Sequence, residues 1–332
     1  MGMVKKTVFL IAMSLILFGC ASVETKLPQL DLRSLVQESV DQERQAFSRY
    51  LDMRERLDRV SAQVLAENAD LCEKTATDIG IVIHSTKSYP KNLRAAAQMH
   101  LGALDEPSVL MVRAESAAEK AGFVAGDVIT DKNGDAVSFF DKEIQEEFDK
   151  TGLIGRRRAG DAQPSMLKPQ GSVICGFPVQ LKFSTAINAY ANGKSITVTT
   201  GMMEFAARDE ELALVVGHEL AHNTMRHVPK SIRNLLLSGF AVRTTRPFES
   251  EADYVGMYYL ARAGFELDGV EDFWRRLGVV SPKSIVRAKT HPVTPERLLS
   301  IRATAQEIEA KQKSGEPLTP NYLKDANRQD ES

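Results

Sequence analysis

The feature that most constrains this chain is the run Gly217-His218-Glu219-Leu220-Ala221-His222, set within an otherwise apolar helical segment. On an α-helix, residues four apart share a face, so His218 and His222 can direct both imidazoles at one ion. Glu219 lies beside them, close enough to take a proton from a water on that ion. Two imidazoles and a general base at this spacing are the groups that a zinc hydrolase needs.

A second motif, Glu249-Ser250-Glu251-Ala252-Asp253, completes the predicted site. Without this second motif, the two histidines could simply lie on the polar face of a helix. The second motif makes that interpretation the weaker one. Glu249 and Asp253 also share a helix face, so we predict Glu249 as the third ligand and Asp253 as the acceptor for a liganding histidine's other ring nitrogen. Glu251 is the rival ligand, but it would point about 200° round the helix from Glu249. Three protein ligands leave one position open for water, as in catalytic rather than structural zinc sites.

These motifs, together with His291-Pro292 and Arg297, resemble family forty-eight of the metallopeptidases, the gluzincins that include the CAAX prenyl proteases and HtpX. The resemblance covers roughly residues 172–300, including the segments 188–191 and 196–201 before the zinc helix. It implies an endopeptidase with one Zn²⁺ ion and polypeptide substrates. Glu219 would accept the proton of the attacking water and pass it to the leaving amine.

The same resemblance gives His291 and Arg297 candidate catalytic roles. His291, on a proline-fixed loop, could donate a hydrogen bond to the oxyanion or occupy the open zinc position and keep the enzyme latent. Arg297 would support that loop or the oxyanion. A helix-entry turn with an incidental histidine is the alternative. The zinc helix itself is predicted from about Asp209 to Arg226, with His227 as a surface residue at its end.

Two segments before the zinc helix, Phe177–Phe183 and Ser195–Thr200, alternate like strands, with an Asn192-Gly193 turn signal between them. Zinc peptidases commonly hold substrate in extended form on an exposed edge strand beside the metal. We therefore predict a substrate-binding edge strand at 195–200, and an ordinary core strand is the alternative. The predicted substrate-binding residues are Asn188, Ser195, Ile196, Thr197 and Val198.

The N-terminus has the pattern of a targeting signal. Two lysines precede an apolar run, Thr7–Phe18, that is too short for a comfortable membrane span. The run ends Leu17-Phe18-Gly19-Cys20, which resembles the lipobox of bacterial lipoproteins and would make Cys20 the lipidated residue. The next two residues lack the aspartate associated with inner-membrane retention. This predicts an outer-membrane lipoprotein facing the periplasm of a Gram-negative bacterium, with a plain signal peptide or an uncleaved anchor as the alternative.

Charge and cysteine content narrow the possible partners. The net charge is −2 and no basic block occurs, so nucleic acid is not indicated, and the lipid would be the only membrane attachment. If Cys20 is lipidated, Cys72 and Cys175 remain as a pair in an oxidising compartment. We predict that they form a disulfide; two buried free thiols are the alternative.

The predicted fold class is α+β, a mainly helical zincin-type catalytic domain with a small β-sheet and an inserted PDZ-like β/α domain. Residues 1–20 would be the signal peptide and 21–75 an amphipathic helix packing on the catalytic domain, with a coiled-coil or partner-binding helix as the alternative. Residues 76–165 would form the PDZ-like domain, 166–305 the metallopeptidase domain and 306–332 a polar tail.

The PDZ-like assignment comes from the resemblance of Ser116–Gly134 to bacterial PDZ domains. Such a domain binds an extended peptide as an added strand and grips its carboxylate with backbone amides. By resemblance, Ile79-Gly80-Ile81-Val82 would form the loop and strand, and a helix containing Ile144 the opposite wall. Alternatively, the domain only packs on the catalytic unit and regulates access. The arginine run 156–158 is interpreted as a solvated turn and 161–171 as a return linker.

Two rival functions stay open at this point. In the first, a latent protease acts mainly as a PDZ-based peptide-binding or chaperone-like quality-control factor. In the second, the zinc ion is purely structural. Three ligands beside a glutamate argue against the second.

Overall fold

The computed structural model describes residues 28, 30–227, 229, 246–280 and 295–321 of the 332-residue chain. The predicted signal peptide with Cys20, and also His291, lie outside the described residues. The chain divides into two units, 1–42 and 43–332, and the boundary falls within helix α1 (Leu32–Ala66). None of the described helices combines the length and the apolar character needed to cross a bilayer.

In the first unit, the apolar side chains at the start of α1 (Leu32, Leu35 and Val36) are exposed. In the second unit, α1 is the long wall of the main core. Phe47, Leu57, Val60 and Val64 of this helix are buried in that core. The amphipathic pattern of α1 therefore has a buried face in the second unit.

The middle of the chain forms a sheet of its own. Its elements and those beside it are β1 (Thr75–Asp78), β2 (Ile81–His84), α2 (Arg94–Leu101), β3 (Ser108–Val112), α3 (Ala117–Lys120), β4 (Val128–Thr130), α4 (Lys142–Thr151), β5 (Ile154–Arg157), β6 (Ser165–Leu167) and β7 (Ser172–Cys175). Strands β2 to β6 pair antiparallel in the order β2-β3-β4-β5-β6. With α3 and α4 they form what we call the five-stranded module, and its hydrophobic core is separate from the main core.

The predictions for the end of this module were wrong. The arginine run is not a solvated turn, because Arg156 and Arg157 belong to β5 and pair with β4. Arg158 binds the fully buried carboxylate of Asp127, with nitrogen-to-oxygen distances of 2.7 and 2.8 Å. The proposed linker 161–171 likewise contains β6. Strand pairing and a buried acid thus stabilise residues that look like a polar loop.

The base of the module is closed twice. Strands β1 and β7 pair antiparallel, with Thr75 opposite Cys175. A disulfide joins Cys72 to Cys175, whose Cα atoms are 5.5 Å apart. The chain therefore enters and leaves the five-stranded module at adjacent points.

The rest of the chain surrounds the two motifs. It contains β8 (Val179–Lys182), β9 (Ala189–Ala191), β10 (Ile196–Thr199), α5 (Thr200–Phe205), α6 (Asp209–Thr224), α7 (Arg246–Arg262), α8 (Val270–Val280) and α9 (Pro295–Ser314). Together with the sheets, these helices make an α+β fold, as predicted.

Strand β10 is the middle strand of its sheet, so the prediction of an edge strand at 195–200 was wrong. The order is β8-β10-β9, with β10 parallel to β8 and antiparallel to β9. All four residues of β10 are buried. The Asn192-Gly193 turn joins β9 to β10. It was expected to follow the strand at 177–183, but that strand, β8, pairs with the other side of β10. Among the described strands, β9 is the edge strand nearer to α6.

Helices α6 and α7 approach each other closely where two glycines face. A Cβ on Gly217 would lie 2.9 Å from the carbonyl oxygen of Gly256, and a Cβ on Gly256 would lie 2.9 Å from the backbone nitrogen of His218. Side-chain atoms do not occur at such distances, so glycine is required on both sides. This approach brings the two motifs together.

We expect Gly256→Ala to destabilise the protein by about 1–3 kcal/mol, because the added methyl group forces the two helices apart. The sign is informative, since Gly→Ala inside an unconstrained helix stabilises by about 0.5–1 kcal/mol. Urea unfolding would measure the change.

Ser250→Ala, an exposed position on the same helix, is the control and should leave stability nearly unchanged. A Gly256→Ala protein as stable as the wild type would contradict the close-packing argument.

Candidate metal centre

Helix α6 carries the first motif through the interior of the protein. Its residues from Glu211 to Asn223 are all buried, which explains why polar motif residues sit within an apolar sequence. The first turn is fixed by Glu211, which is 1% exposed and accepts hydrogen bonds from Arg276 at 2.9 and 3.0 Å. The position of the motif is therefore set by tertiary packing along the whole helix.

His218, His222 and Glu249 converge on one point. The Nε2 atoms of the two histidines are 3.1 Å apart. The carboxylate oxygens of Glu249 lie 3.6 Å from Nε2 of His218 and 3.5 Å from Nε2 of His222. All three residues are buried. The predicted ligand set is thus assembled from two helices as one triangle of donor atoms.

This triangle fits a zinc ion. With metal–ligand bonds of about 2.0–2.1 Å, two ligand atoms of a tetrahedral site lie about 3.3–3.4 Å apart. The observed separations of 3.1, 3.5 and 3.6 Å are close to that value, with His218 nearest to Oε2 of Glu249 and His222 nearest to Oε1. Two imidazole nitrogens and one carboxylate oxygen are also a donor set that zinc accepts in catalytic sites.

Asp253 and Arg297 hold the first histidine. Nδ1 of His218 lies 2.9 Å from Oδ1 of Asp253, as predicted for the other ring nitrogen. Arg297 in turn contacts both oxygens of Asp253 at 2.6 Å, and its guanidinium lies 3.5 Å from the centre of the Trp274 ring. Asp253 is 2% and Arg297 4% exposed. This buried chain fixes both the orientation of His218 and the nitrogen that carries its proton.

The electrostatics of the site favour a cation. Burial would lower the pKa of His218, but Asp253 and Glu249 outweigh it and raise that pKa to about 9. Burial pushes the pKa of Asp253 up, whereas Arg297 and His218 bring it below its ordinary value. The carboxylate of Asp253 therefore remains ionised beside the donor triangle, which suits a divalent metal.

His227 is not the surface residue that the sequence suggested. It is 2% exposed, and its Nδ1 lies 2.9 Å from Nδ1 of His222. Its Nε2 lies 2.8 Å from a carboxylate oxygen of Glu251, the residue considered as a rival ligand. Glu251 therefore contacts the site through His227, and Glu249 alone supplies the carboxylate of the triangle.

The chain is similar in sequence to known proteins. The model of peptidase family M48 matches residues 177–238 and 231–305, which include both motifs. The mitochondrial metalloendopeptidase OMA1 of Schizosaccharomyces pombe is 24% identical over 151 residues, covering 37% of this chain and 45% of the relative. The putative beta-barrel assembly-enhancing protease of Vibrio cholerae is 29% identical over 159 residues, covering 36% and 33%. The beta-barrel assembly-enhancing protease of Yersinia pestis is 25% identical over 177 residues, covering 41% and 36%.

Over residues 177–305 the chain is therefore similar to peptidase family M48. The matched part spans less than half the length of each of the three relatives. The family match runs from just before β8 into α9, and the donor triangle lies within it.

The remaining candidate catalytic residues are Glu219, Arg297 and His291. Glu219 is buried on α6 beside His218, as the motif requires. Arg297 was expected at the loop of His291 or at the oxyanion, but its guanidinium is paired with Asp253. Through that carboxylate it supports His218, so we propose a positioning role for it. His291 lies outside the described residues.

Of the predicted substrate residues, Ile196, Thr197 and Val198 are buried, whereas Asn188 and Ser195 are half-buried. Ser195 lies in the turn between β9 and β10, and Ile196 to Val198 belong to β10, the central strand of the sheet. Asn188 directly precedes β9. Asn223, which sequence reasoning missed, ties this hairpin to the zinc helix. Its side chain accepts from the backbone nitrogen of Gly193 at 2.7 Å and donates to the carbonyl of Ser195 at 3.2 Å. Only its position next to His222 could have signalled this role.

The five residues predicted for one peptide groove line three different cavities. Ile81 and Val82 line a cavity of about 590 Å³, Ile79 and Gly80 a second, and Ile144 a third. The backbone nitrogen of Gly80, expected to bind a peptide carboxylate, donates instead to Asp78 at 2.9 Å. The groove is therefore not formed as predicted, because an internal carboxylate occupies the amide.

We expect Asp253→Asn to weaken zinc binding about 10- to 100-fold, the usual effect of removing the partner of a liganding histidine. The neutral amide cannot hold His218 and Arg297 together as the carboxylate does. Competition with a chelator of known zinc affinity would measure the loss.

Asp209→Asn is the matched control, since Asp209 lies in the first turn of α6, the helix that carries His218 and His222, and pairs with Arg56 and Arg59. Equal zinc affinity in both variants would argue against the positioning role of Asp253.

Proposed function

We propose that this chain is a zinc-dependent endopeptidase. The observation that carries the proposal is the donor triangle of His218, His222 and Glu249, with Glu219 on the same buried helix. When bound there, zinc would polarise the scissile carbonyl and lower the pKa of its water. The family match and the names of the relatives support the same reaction class.

The protein's own groups would perform the proton transfers and hold the geometry. Glu219 would take the proton of the attacking water and later pass it to the leaving amine. Asp253 and Arg297 would keep His218 oriented during both steps. Because these groups are buried and mutually bonded, they need little rearrangement when the substrate binds.

The proposed substrates are polypeptides bound in extended form. Strand β9, the edge strand nearer to α6 among the described strands, is a better candidate than β10 for pairing with such a substrate. Following the sequence features at Cys20, we propose an outer-membrane lipoprotein that cleaves misfolded or unassembled envelope proteins in the periplasm. Two relatives are named as beta-barrel assembly-enhancing proteases, which agrees with an envelope role.

We expect Glu219→Gln to retain zinc while casein cleavage falls by about 10²–10⁴-fold, the usual contribution of a general base. The amide preserves size but cannot accept the proton of the water. Zinc content by mass spectrometry and cleavage of labelled casein would be measured on the same samples.

Glu210→Gln, in the first turn of the same helix, is the matched control and should keep both properties. Full cleavage by Glu219→Gln would reject the mechanism. A zinc-loaded but inactive wild type that gains activity on His291→Ala would favour a latent enzyme.

A second function is favoured by a cavity of about 590 Å³ between the five-stranded module, α1 and β8. Strand β2, at the end of its sheet, lines this cavity over its whole length. The opposite strand β8 is covered by α1, because Arg54 donates to the carbonyl of Val179 at 2.8 Å. In this alternative, an extended peptide pairs with β2, and the protein acts mainly as a PDZ-like peptide-binding or chaperone-like factor.

We expect Gln180→Trp to reduce peptide binding about tenfold or more, a loss of at least about 1.4 kcal/mol, because the indole fills the cavity. Gln180 is an exposed β8 residue that lines it. Fluorescence anisotropy of labelled casein peptides in the Glu219→Gln background would measure binding without cleavage.

Lys182→Trp, on the same exposed face of β8 but outside the cavity lining, is the control. Equal affinities for the two tryptophan variants would show that peptides bind elsewhere.

A further inference from the structure

We propose that His227 and Glu251 form a relay that positions His222 as a metal ligand. The inference rests on the zinc site proposed above and adds two residues to it. The relay consists of the 2.9 Å contact between the Nδ1 atoms of His222 and His227 and the 2.8 Å contact between Nε2 of His227 and Glu251.

The hydrogen bonds of the relay have one consistent direction. His222 presents Nε2 to the donor triangle, so its ring proton is on Nδ1. That N–H donates to Nδ1 of His227, which must then be the acceptor. The proton of His227 is therefore on Nε2, where it donates to the carboxylate of Glu251. Each ring nitrogen in the relay has a defined role.

The backbone bends to make this contact possible. In a continuous helix, residues five apart point about 140° away from each other, so His227 could not meet His222. Helix α6 instead ends at Thr224, and Arg226 adopts a left-handed conformation with φ of 55°. Such a conformation is uncommon for a residue other than glycine. It turns the chain so that His227 reaches the ring of His222.

Helix α7 completes the relay. The ring of His227 stacks on Phe248, with centroids 4.7 Å apart and planes at 19°. Phe248 directly precedes Glu249, and Glu251 follows two residues later. One turn of α7 therefore supplies the third ligand, the surface that holds the His227 ring and the carboxylate at the end of the relay.

The relay gives His222 the same kind of support that Asp253 and Arg297 give His218. A hydrogen-bonded partner fixes the tautomer and ring orientation of a ligand and increases its basicity, and losing that partner typically lowers metal affinity 10- to 100-fold. Both imidazoles of the triangle would thus be held from behind by a carboxylate, directly for His218 and through a second imidazole for His222.

The test uses the full chain with His227→Phe, His227→Asn and Glu251→Gln. Phenylalanine keeps the stacking on Phe248 but cannot accept a hydrogen bond. Asparagine places an oxygen near the position of Nδ1 and preserves the acceptor. Arg226→Gly is the control, because glycine adopts the left-handed turn freely and the relay remains.

Zinc affinity by chelator competition and the visible absorption of the Co²⁺-substituted protein are the readouts. We expect His227→Phe to lose about 10- to 100-fold in affinity with a shifted Co²⁺ spectrum. His227→Asn and Glu251→Gln should lose less, and Arg226→Gly should match the wild type. Rescue by asparagine separates positioning from packing, and melting of the metal-free proteins checks the fold.

Zinc affinity of His227→Phe within twofold of the wild type, with an unchanged Co²⁺ spectrum, would overturn the relay while leaving the zinc site in place. Equal losses in the phenylalanine and asparagine variants would also overturn it, since packing alone would then explain the effect. A wild type that binds no zinc would instead reject the proposed function itself.

Discussion

The site depends on the close approach of α6 and α7 at Gly217 and Gly256. Each helix carries residues four apart on one face, and α6 supplies two corners of the donor triangle while α7 supplies the third. The approach is allowed only because neither glycine has a Cβ. With the helices at this distance, the Glu249 oxygens come within 3.6 Å of both imidazoles. The distances between the three donor groups are thus set by how closely α6 and α7 pack.

Most of the polar side chains around the donor triangle are not part of it. They hydrogen-bond to its histidines or to one another. Asp253 is bonded to Arg297, which lies over Trp274, and His227 is bonded to Glu251 while it stacks on Phe248. Buried charges of this kind destabilise the fold unless each has a partner. Removing one of them therefore leaves its partner buried and unpaired. This explains how a helix can be buried along its length and still carry two histidines and a glutamate.

The sequence predicted the parts of the site that depend on local periodicity. The spacings of the two motifs singled out His218, His222, Glu249 and Asp253, and the structure brings these four side chains together. His227 was misread because its position depends on a left-handed residue after the helix, which no spacing rule reveals. The central place of β10 and the strand at Arg156 were also missed, because strand order and pairing are set by distant segments.

The bridge between Cys72 and Cys175 has a consequence for how this protein would be studied. The two cysteines flank the five-stranded module, so a single cut anywhere within the module leaves the two fragments covalently joined. Such a nick would be invisible on a non-reducing gel and would appear as two bands only after reduction. For a protein proposed to cleave polypeptides, self-cleavage in this region would therefore leave an apparently intact molecule, with the catalytic part and the long helix still linked.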